Sequence, residues 1–428
     1  MKHTYPGFEN NALHQHRILR RERVRLADGV WGFMGYASSN FAAIATEHGY
    51  VLVDTGDDLT WSAEARKEIA ELAPGTLQAI ILTHSHPDHR GGASAFLEGT
   101  ENVPVYGHHA FGSEQRDGAG LGDILAARAQ KQFGRLIPDG QYHQNALLPR
   151  LGGKPGPLVC PTVPVEEGCT ALCLDGVSFE LHTLPTESAD HIAVWLPEKK
   201  VLFCGDAVYG SFPNVYPLRG GTYRDIERWI RGVRRLPEFG AEAMLCGHTM
   251  ALFGGEIARV CARYADALEY VYNAAIAGLN AGKTADELAA EIRLPEDMAQ
   301  EPFLGEFYGC VPWTVREICA AKVGWFNGDP ADIVPLAPRE EAERMADLAG
   351  GPGALMDKAS RALMEEDYRW AAKLAGYVLA LDEGCREAML VRASSLEVLA
   401  DEILPITGVN YLRSCALELR KKAGDLPA

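Results

Sequence analysis

Four side chains able to hold a metal fall within one short stretch, Thr83-His84-Ser85-His86-Pro87-Asp88-His89-Arg90-Gly91-Gly92. On an extended backbone, residues two apart leave on the same face, so His84 and His86 form a pair. The chain must then turn, and Asp88 and His89 leave the turn in another direction. That spacing can serve two ions, with a His pair for one and an Asp-His pair for the other. Imidazole and carboxylate suit zinc and its first-row neighbours. Two close divalent ions would bring the pKa of a shared water from about 16 towards 7 and polarise an electrophile beside it. The chemistry these residue types imply is metal-assisted hydrolysis.

Three further polar residues stand beyond apolar runs. Glu187, in Leu184-Pro185-Thr186-Glu187, follows the alternating run at 179–183. Lys200-Val201-Leu202-Phe203-Cys204-Gly205-Asp206 ends in Gly-Asp, and Ala243-Met244-Leu245-Cys246-Gly247-His248 ends in Gly-His. The His cluster itself follows Ala79-Ile80-Ile81-Leu82. Short apolar runs of this kind read as buried strands. Strand ends gathered at one sheet edge would bring Glu187, Asp206 and His248 to His84, His86, Asp88 and His89. A carboxylate such as Asp206 can bridge two metals, and Thr83 or its neighbouring backbone can orient the ligands.

Other elements frame these ends. Residues 30–34, 40–45 and 49–53 read as strands, the last leading into Asp54-Thr55-Gly56, and 61–72 has helical spacing. Pro104-Val105-Tyr106-Gly107 reads as the next short strand. Asp175-Gly176 marks a hairpin turn within 171–180, 192–196 alternates like a strand, and 226–236 is helical. The order predicts an α/β class with a mixed sheet and helices outside it. Residues 1–28 read as an N-terminal arm and 29–256 as the catalytic domain. Within it, 108–160 is poor in strand signal and reads as an insertion or lid with a helix at 124–133. Residues 257–428 read as a helical domain. It opens with a long amphipathic helix over 257–280, then a helix capped by Thr284 with Glu287 three residues on, then one over 313–326. Gly350-Gly351-Pro352-Gly353 reads as a linker. Beyond it, Asp367-Tyr368-Arg369-Trp370-Ala371-Ala372 followed by Ala380-Leu381-Asp382 resembles a single repeat of tetratricopeptide type.

The 428 residues exceed one ordinary core. Hydrophobic content of 47% and charged content of 23% are those of a soluble globular protein. Lys+Arg 41 against Asp+Glu 58 gives a net charge of −17, which argues against a nucleic-acid partner and calls for a local basic group at any anion site. The ten cysteines contain no CxxC pair and read as reduced thiols. With no secretory signal and no apolar stretch of about 20 residues, a cytoplasmic protein without a membrane span is expected.

The series His-x-His-x-Asp-His, Gly-Asp and Gly-His resembles the metallo-β-lactamase superfamily, which implies an αββα sandwich with a dinuclear site, here over residues 28–255. Where most of that superfamily places a third His, this chain has Glu187 within Thr186-Glu187. That replacement is similar to the alkylsulfatases, or type III sulfatases. So are Asn214-Val215-Tyr216-Pro217-Leu218-Arg219-Gly220 with Arg224-Asp225, Glu306-Phe307-Tyr308-Gly309, the run from Gly324 to Ala331, and Asp367-Tyr368-Arg369-Trp370-Ala371 in the helical half. The resemblance implies two Zn2+ ions. His84, His86 and Glu187 would hold one; Asp88, His89 and His248 the other; Asp206 would bridge. Arg219 matches the arginine that binds the sulfate group, which fits a guanidinium fork on a tetrahedral oxyanion. Asp88 and Arg219 are expected to act in the reaction itself. Asn214, Tyr216 and Gly134, the last beside Phe133, are candidate substrate contacts. The helical half implies a homodimer.

Some positions depart from that pattern. Asp206 stands where the family usually has Glu, Pro312-Trp313-Thr314 replaces a Ser-His-Asn, and His191 is an alternative ligand. The sterol-carrier-like domain usual in the family is expected to be absent, which leaves the substrate's alkyl length open. The expected activity is a zinc-dependent alkyl or aryl sulfatase working through a metal-bound hydroxide on a small-molecule ester. The alternative is a hydrolase of the same fold acting on another ester, a lactone or a phosphoester. An iron-carrying redox protein of this fold fits less well, because such proteins carry Glu near Ser85–His86.

Overall fold

Period-two alternation in the first half folds into two stacked sheets. The structure, a computed structural model, describes residues 21–138, 154 and 156–426. Strands β1 (Glu22–Ala27), β2 (Val30–Met34), β3 (Phe41–Ala45) and β4 (Gly49–Val53) pair antiparallel in sequence order. Helix α1 (Leu59–Leu72) starts at Asp58, whose carboxylate accepts from the backbone N–H of Thr60 and Trp61. It returns the chain so that β5 (Thr76–Ile81) lies parallel to β4. Helices α2 (Pro87–Arg90) and α3 (Ala93–Leu97) lead to β6 (Val105–His108). Helices α4 (Ser113–Asp117) and α5 (Gly122–Gln132) precede β7 (Val163–Val165), and β6 and β7 extend the sheet in parallel. The second sheet takes β8 (Cys169–Leu174), β9 (Val177–Thr183), β10 (Ile192–Leu196) and β11 (Val201–Phe203). After helix α6 (Ile226–Arg235) come β12 (Ala243–Leu245) and β13 (Ala251–Phe253). Among the described residues the sheet orders are β1-β2-β3-β4-β5-β6-β7 and β13-β12-β11-β10-β9-β8.

Each strand divides its side chains between two cores. Ala42 and Ile44 of β3, and Ile192, Val194 and Leu196 of β10, share a core between the sheets. Phe41 and Ala43 turn out to meet Ala65 and Ile69 of α1 and Phe96 of α3. Ala193 and Trp195 face a third core with Trp229 and Val233 of α6. This is the αββα sandwich expected.

From Gly255 on, every described element is helical. Helix α7 (Gly255–Asn280), α8 (Ala285–Glu291), the short α9 (Glu296–Ala299) and α10 (Val311–Val323) follow in order. Val260, Leu268, Leu288, Val315 and Ile318 of these helices add to the outer core of the second sheet. Thr284 and Glu287 form the expected capping box of α8. Helices α11 (Pro338–Ala349), α12 (Pro352–Met364), α13 (Tyr368–Leu381), α14 (Arg386–Glu402) and α15 (Ile406–Lys422) complete the chain. Ala346, Leu355, Ala359, Leu374 and Val391 give the bundle a core of its own.

Two expectations need correction. Residues 22–27, assigned to the arm, are edge strand β1 paired with β2; residues 1–20 lie outside the described residues. Gly350–Gly353 is no linker between units: Gly350, at φ 100°, ends α11, Pro352 opens α12, and both helices pack into one core. The part of the expected lid at 139–153 also lies outside the described residues.

Between α10 and α11 the chain runs as an arm, exposed at every residue from 320 to 341. Trp325 is 80% exposed and Val334 84%. The arm is nonetheless locally ordered. Asn327 Nδ2 donates to Asp332 (2.5 Å), and Asp329 accepts from Ala331 N–H (2.9 Å).

Candidate metal centre

The donors sit where strands of the two sheets end. His84 and His86 follow β5, Asp88 and His89 lie in α2, Glu187 is in the β9–β10 loop, and Asp206 and His248 follow β11 and β12. Two glycines make the close approach possible. Gly205 has φ +46°, and a Cβ there would stand 2.5 Å from His191 Nε2. A Cβ on Gly247 would stand 1.9 Å from Asp206 Oδ1. The Gly-Asp and Gly-His signatures are therefore steric requirements of the site.

The hydrogen bonds fix the tautomer of each ligand imidazole. Thr83 Oγ1 donates its one proton to Asp54 Oδ2 (2.8 Å), so it must accept from His84 Nδ1–H (3.0 Å). His89 Nδ1–H donates to Asp54 (2.8 Å), His248 Nδ1–H to the Ser38 carbonyl (2.7 Å), and His86 Nε2–H to Glu114 (3.0 Å). Four ring nitrogens are left with lone pairs, and all four point into one space with three carboxylates. His84 Nε2 lies 2.9 Å from His86 Nδ1, which lies 3.2 Å from Glu187 Oε2. His89 Nε2 is 3.2 Å from Asp206 Oδ1. His248 Nε2 is 3.3 Å from Asp206 Oδ2 and 3.3 Å from Asp88 Oδ2.

Lone pairs facing lone pairs at these distances call for cations between them. His89 Nε2, Glu187 Oε2 and Asp206 Oδ1 are buried without any hydrogen-bond partner. The donors fall into two groups, His84/His86/Glu187/Asp206 and Asp88/His89/His248. Asp206 reaches both, with Oδ1 beside His89 and Oδ2 beside His84 and His248, as a bridging ligand would. Protonation answers the same demand. Burial alone would depress His86, but Glu114 and Glu187 overcome it and raise it to about 9. Against the same burial, Asp206 and Asp88 raise His248 to about 10. The donor set thus fits a pair of borderline metal ions.

His191 is not a ligand. Its Nε2 accepts from the backbone N–H of Asp206 (3.1 Å), so it positions Asp206, and burial lowers its pKa to about 4. A cavity of about 800 Å3 opens over the donors. Its floor includes His86, Asp88, Glu187, Asp206 and His248, and Arg219 and Arg224 enter from one side. Leu121, Leu125, Ala129, Phe133 and Leu158 form an apolar wall. Arg219 donates to Glu114 (3.2 Å) and to the Gly220 carbonyl (2.9 Å). Arg224 donates to Glu187 Oε1 and to the Asn214 carbonyl (2.7 Å).

Three candidates do not reach the cavity lining. Gly134 lies between Phe133 and Arg135, which do. Asn214 is buried, with its carbonyl spent on Arg224, and Tyr216 stands outside the lining. The functional residues missed are Asp54, Glu114 and His191 in its positioning role. Arg224 was noticed only as part of a motif. Asp54 carried one signal, an Asp-Thr-Gly at a strand end.

Asp54→Asn tests the tautomer argument. Asp54 holds φ 57°, a left-handed conformation that asparagine tolerates, so the fold should survive. One amide oxygen cannot accept both from the Thr83 N–H, now bonded to Oδ1, and from Thr83 Oγ1 and His89, which share Oδ2. Metal affinity should fall about 10- to 100-fold, read by competition with a chromophoric chelator. Unchanged affinity would count against the assigned tautomers.

Known proteins resemble this chain over most of its length. The family description "Metallo-beta-lactamase superfamily" matches residues 35–248, and "Alkyl sulfatase dimerisation" matches 284–422. A linear primary-alkylsulfatase of a Pseudomonas species is 30% identical over 394 residues, 90% of this chain and 74% of that one. An (R)-specific secondary-alkylsulfatase of Pseudomonas is 27% identical, over 90% of this chain and 60% of its own length. The solved structure of a stereoselective inverting sec-alkylsulfatase from Pseudomonas superposes with a TM-score of 0.84 at 25% identity, covering 94% of this chain and 66% of that one. The chain thus spans about three quarters of the first relative and about three fifths to two thirds of the others.

Proposed function

We propose that this chain, which belongs to the alkylsulfatases of the metallo-β-lactamase superfamily, hydrolyses an alkyl or aryl sulfate ester with a pair of zinc ions. His84, His86 and Glu187 would hold one ion, Asp88, His89 and His248 the other, and Asp206 both. The observation that carries this reading is the arrangement of the cavity. Two guanidinium groups, the donor cluster and an apolar set of side chains line one cavity, with Arg224 bonded to the donor Glu187. Bound there, two divalent cations supply Lewis acidity to a water and to the ester oxygens.

The chain's own residues do the rest. Arg219 and Arg224 receive the tetrahedral oxyanion, which a planar fork matches better than a point charge. Leu121, Leu125 and Phe133 take the apolar part of the ester and exclude water beside it. Asp88 keeps 29% of its side chain exposed, reaches the cavity, and is the base we assign to the water's proton. The test is an ester panel on zinc-loaded protein: alkyl and aryl sulfates, a phosphodiester, a carboxylic ester and a lactone. Sulfate release is the expected outcome, with about two zinc ions per chain. Faster turnover of the lactone or phosphodiester would replace the sulfatase reading with the broader hydrolase one.

We assign a homodimer as the working form. The exposed arm at 320–341 lies within the stretch matching the dimerisation family, and Trp325, Ile333 and Val334 on it are largely uncovered by the described residues. A second copy of this chain is the occupant we assign to it. Light scattering behind size exclusion should give twice the 46.5 kDa chain mass, and a monomer at micromolar concentration would overturn this. No helix among the described residues is long and apolar enough to cross a membrane. The ten free thiols support a reducing, cytoplasmic setting.

A further inference from the structure

The anion end of the cavity contains a carboxylate that belongs to neither donor group. Glu114 sits in α4, within the segment between β6 and β7, and only 12% of its side chain is exposed. Its Oε2 accepts from His86 Nε2 (3.0 Å) and its Oε1 from Arg219 Nη2 (3.2 Å). The loop after Arg219 closes over it, because a Cβ on Gly221 would stand 2.6 Å from Glu114 Oε1. Against the cost of burial, its hydrogen bond to His86 and the charges of His86, Arg224 and Arg219 hold it well below the usual carboxylate range.

Orienting His86 needs only an acceptor, and a neutral carbonyl serves as well, as Ser38 does for His248. A buried negative charge facing the entering anion does something more. Arg219 and Arg224 bring two positive charges to the cavity; Arg224 pairs with the donor Glu187, and Glu114 adds a further negative charge beside Arg219. Sulfate monoesters carry one negative charge and phosphate monoesters up to two, on tetrahedral groups of nearly the same size. Shape cannot separate them, but a fixed carboxylate a few ångströms away can, because its repulsion grows with each added charge in a water-poor site.

We infer that Glu114 is the specificity-determining residue that restricts this cavity to singly charged tetrahedral anions. The inference rests on Arg219 and Arg224 forming the anion end. It names the residue by which the cavity tells a singly charged ester from a doubly charged one of the same shape, which that reading does not give.

The experiment uses two inert probes with the same tail, hexanesulfonate and hexylphosphonate, the second in its dianionic form. Each is titrated by calorimetry into the full-length, zinc-loaded chain, and the metal content is measured in parallel. The wild type should prefer the sulfonate. Glu114→Gln should move the ratio of affinities towards the phosphonate by at least about tenfold. Glu114→Asp, which keeps the charge, should retain the wild-type preference and guards against a glutamine variant that does not fold. Equal weakening of both probes in Glu114→Gln would mean a purely structural role and overturn the inference, as would a wild type that prefers the dianion. If the wild type releases sulfate from esters while the ratio stays put, only the role of Glu114 falls. If it binds neither probe and releases no sulfate, the anion end falls with it.

Discussion

Asp206→Asn is expected to leave a folded chain that holds at most one cation and retains about a thousandth of its kcat/KM, a loss of the size expected when a two-metal site is dismantled. The reason is geometric. Oδ1 of Asp206 faces His89, and Oδ2 faces His84 (3.8 Å) and His248 (3.3 Å). No other carboxylate among the described residues spans both donor groups, and one amide oxygen cannot replace two charged ones. Metal analysis and steady-state kinetics on the same preparation decide it. A variant with two cations per chain and a tenth of the activity would sink the bridging assignment. Gly247→Ala should give a similar loss without altering any donor, since its Cβ takes the space of Asp206 Oδ1.

Arg219→Ala should act on the other half of the site. It coordinates nothing, and its link to the donors runs through Glu114, so metal content should stay at the wild-type level. Turnover of a sulfate ester should fall about 10²- to 10³-fold, the size seen when one preorganised donor to a developing oxyanion is removed. Arg219→Lys should recover only part of this, because an ammonium lacks the fork that engages two oxygens at once. Unchanged kcat/KM in Arg219→Ala would mean that Arg224 alone receives the anion.

The donors differ in how plainly the amino-acid sequence announces them. His84, His86, Asp88 and His89 are legible from one stretch because a strand end and the first turn of a helix are local structures. Asp206 and His248 are legible because each closes an apolar run behind a glycine that the packing requires. Glu187 stands in a loop without periodicity; it is legible only as a carboxylate just beyond the alternating run at 179–183, and the resemblance supplies its role. Asp54 and Glu114 were missed for a physical reason. A residue that holds a ligand's far nitrogen needs only to be near it in space, and nothing local marks that. Asn214 and Tyr216 share a motif with Arg219, yet only Arg219 is among the residues that line the cavity. The edge strand β1 was taken for an arm because a charged, one-sided strand lacks a strong apolar signal.

The apolar wall has an origin outside the sandwich. Helix α15 lies against α5, with Glu418 accepting from Lys131 (2.7 Å) and Asn410 donating to the Gln132 carbonyl (3.2 Å). Gln132 in turn accepts the backbone N–H of Arg219 (2.7 Å). The helical half therefore braces both the surface that meets the ester's tail and the residue that meets its head. A change at Asn410 or Glu418 would therefore shift the apolar wall and Arg219 together while every donor stays in place.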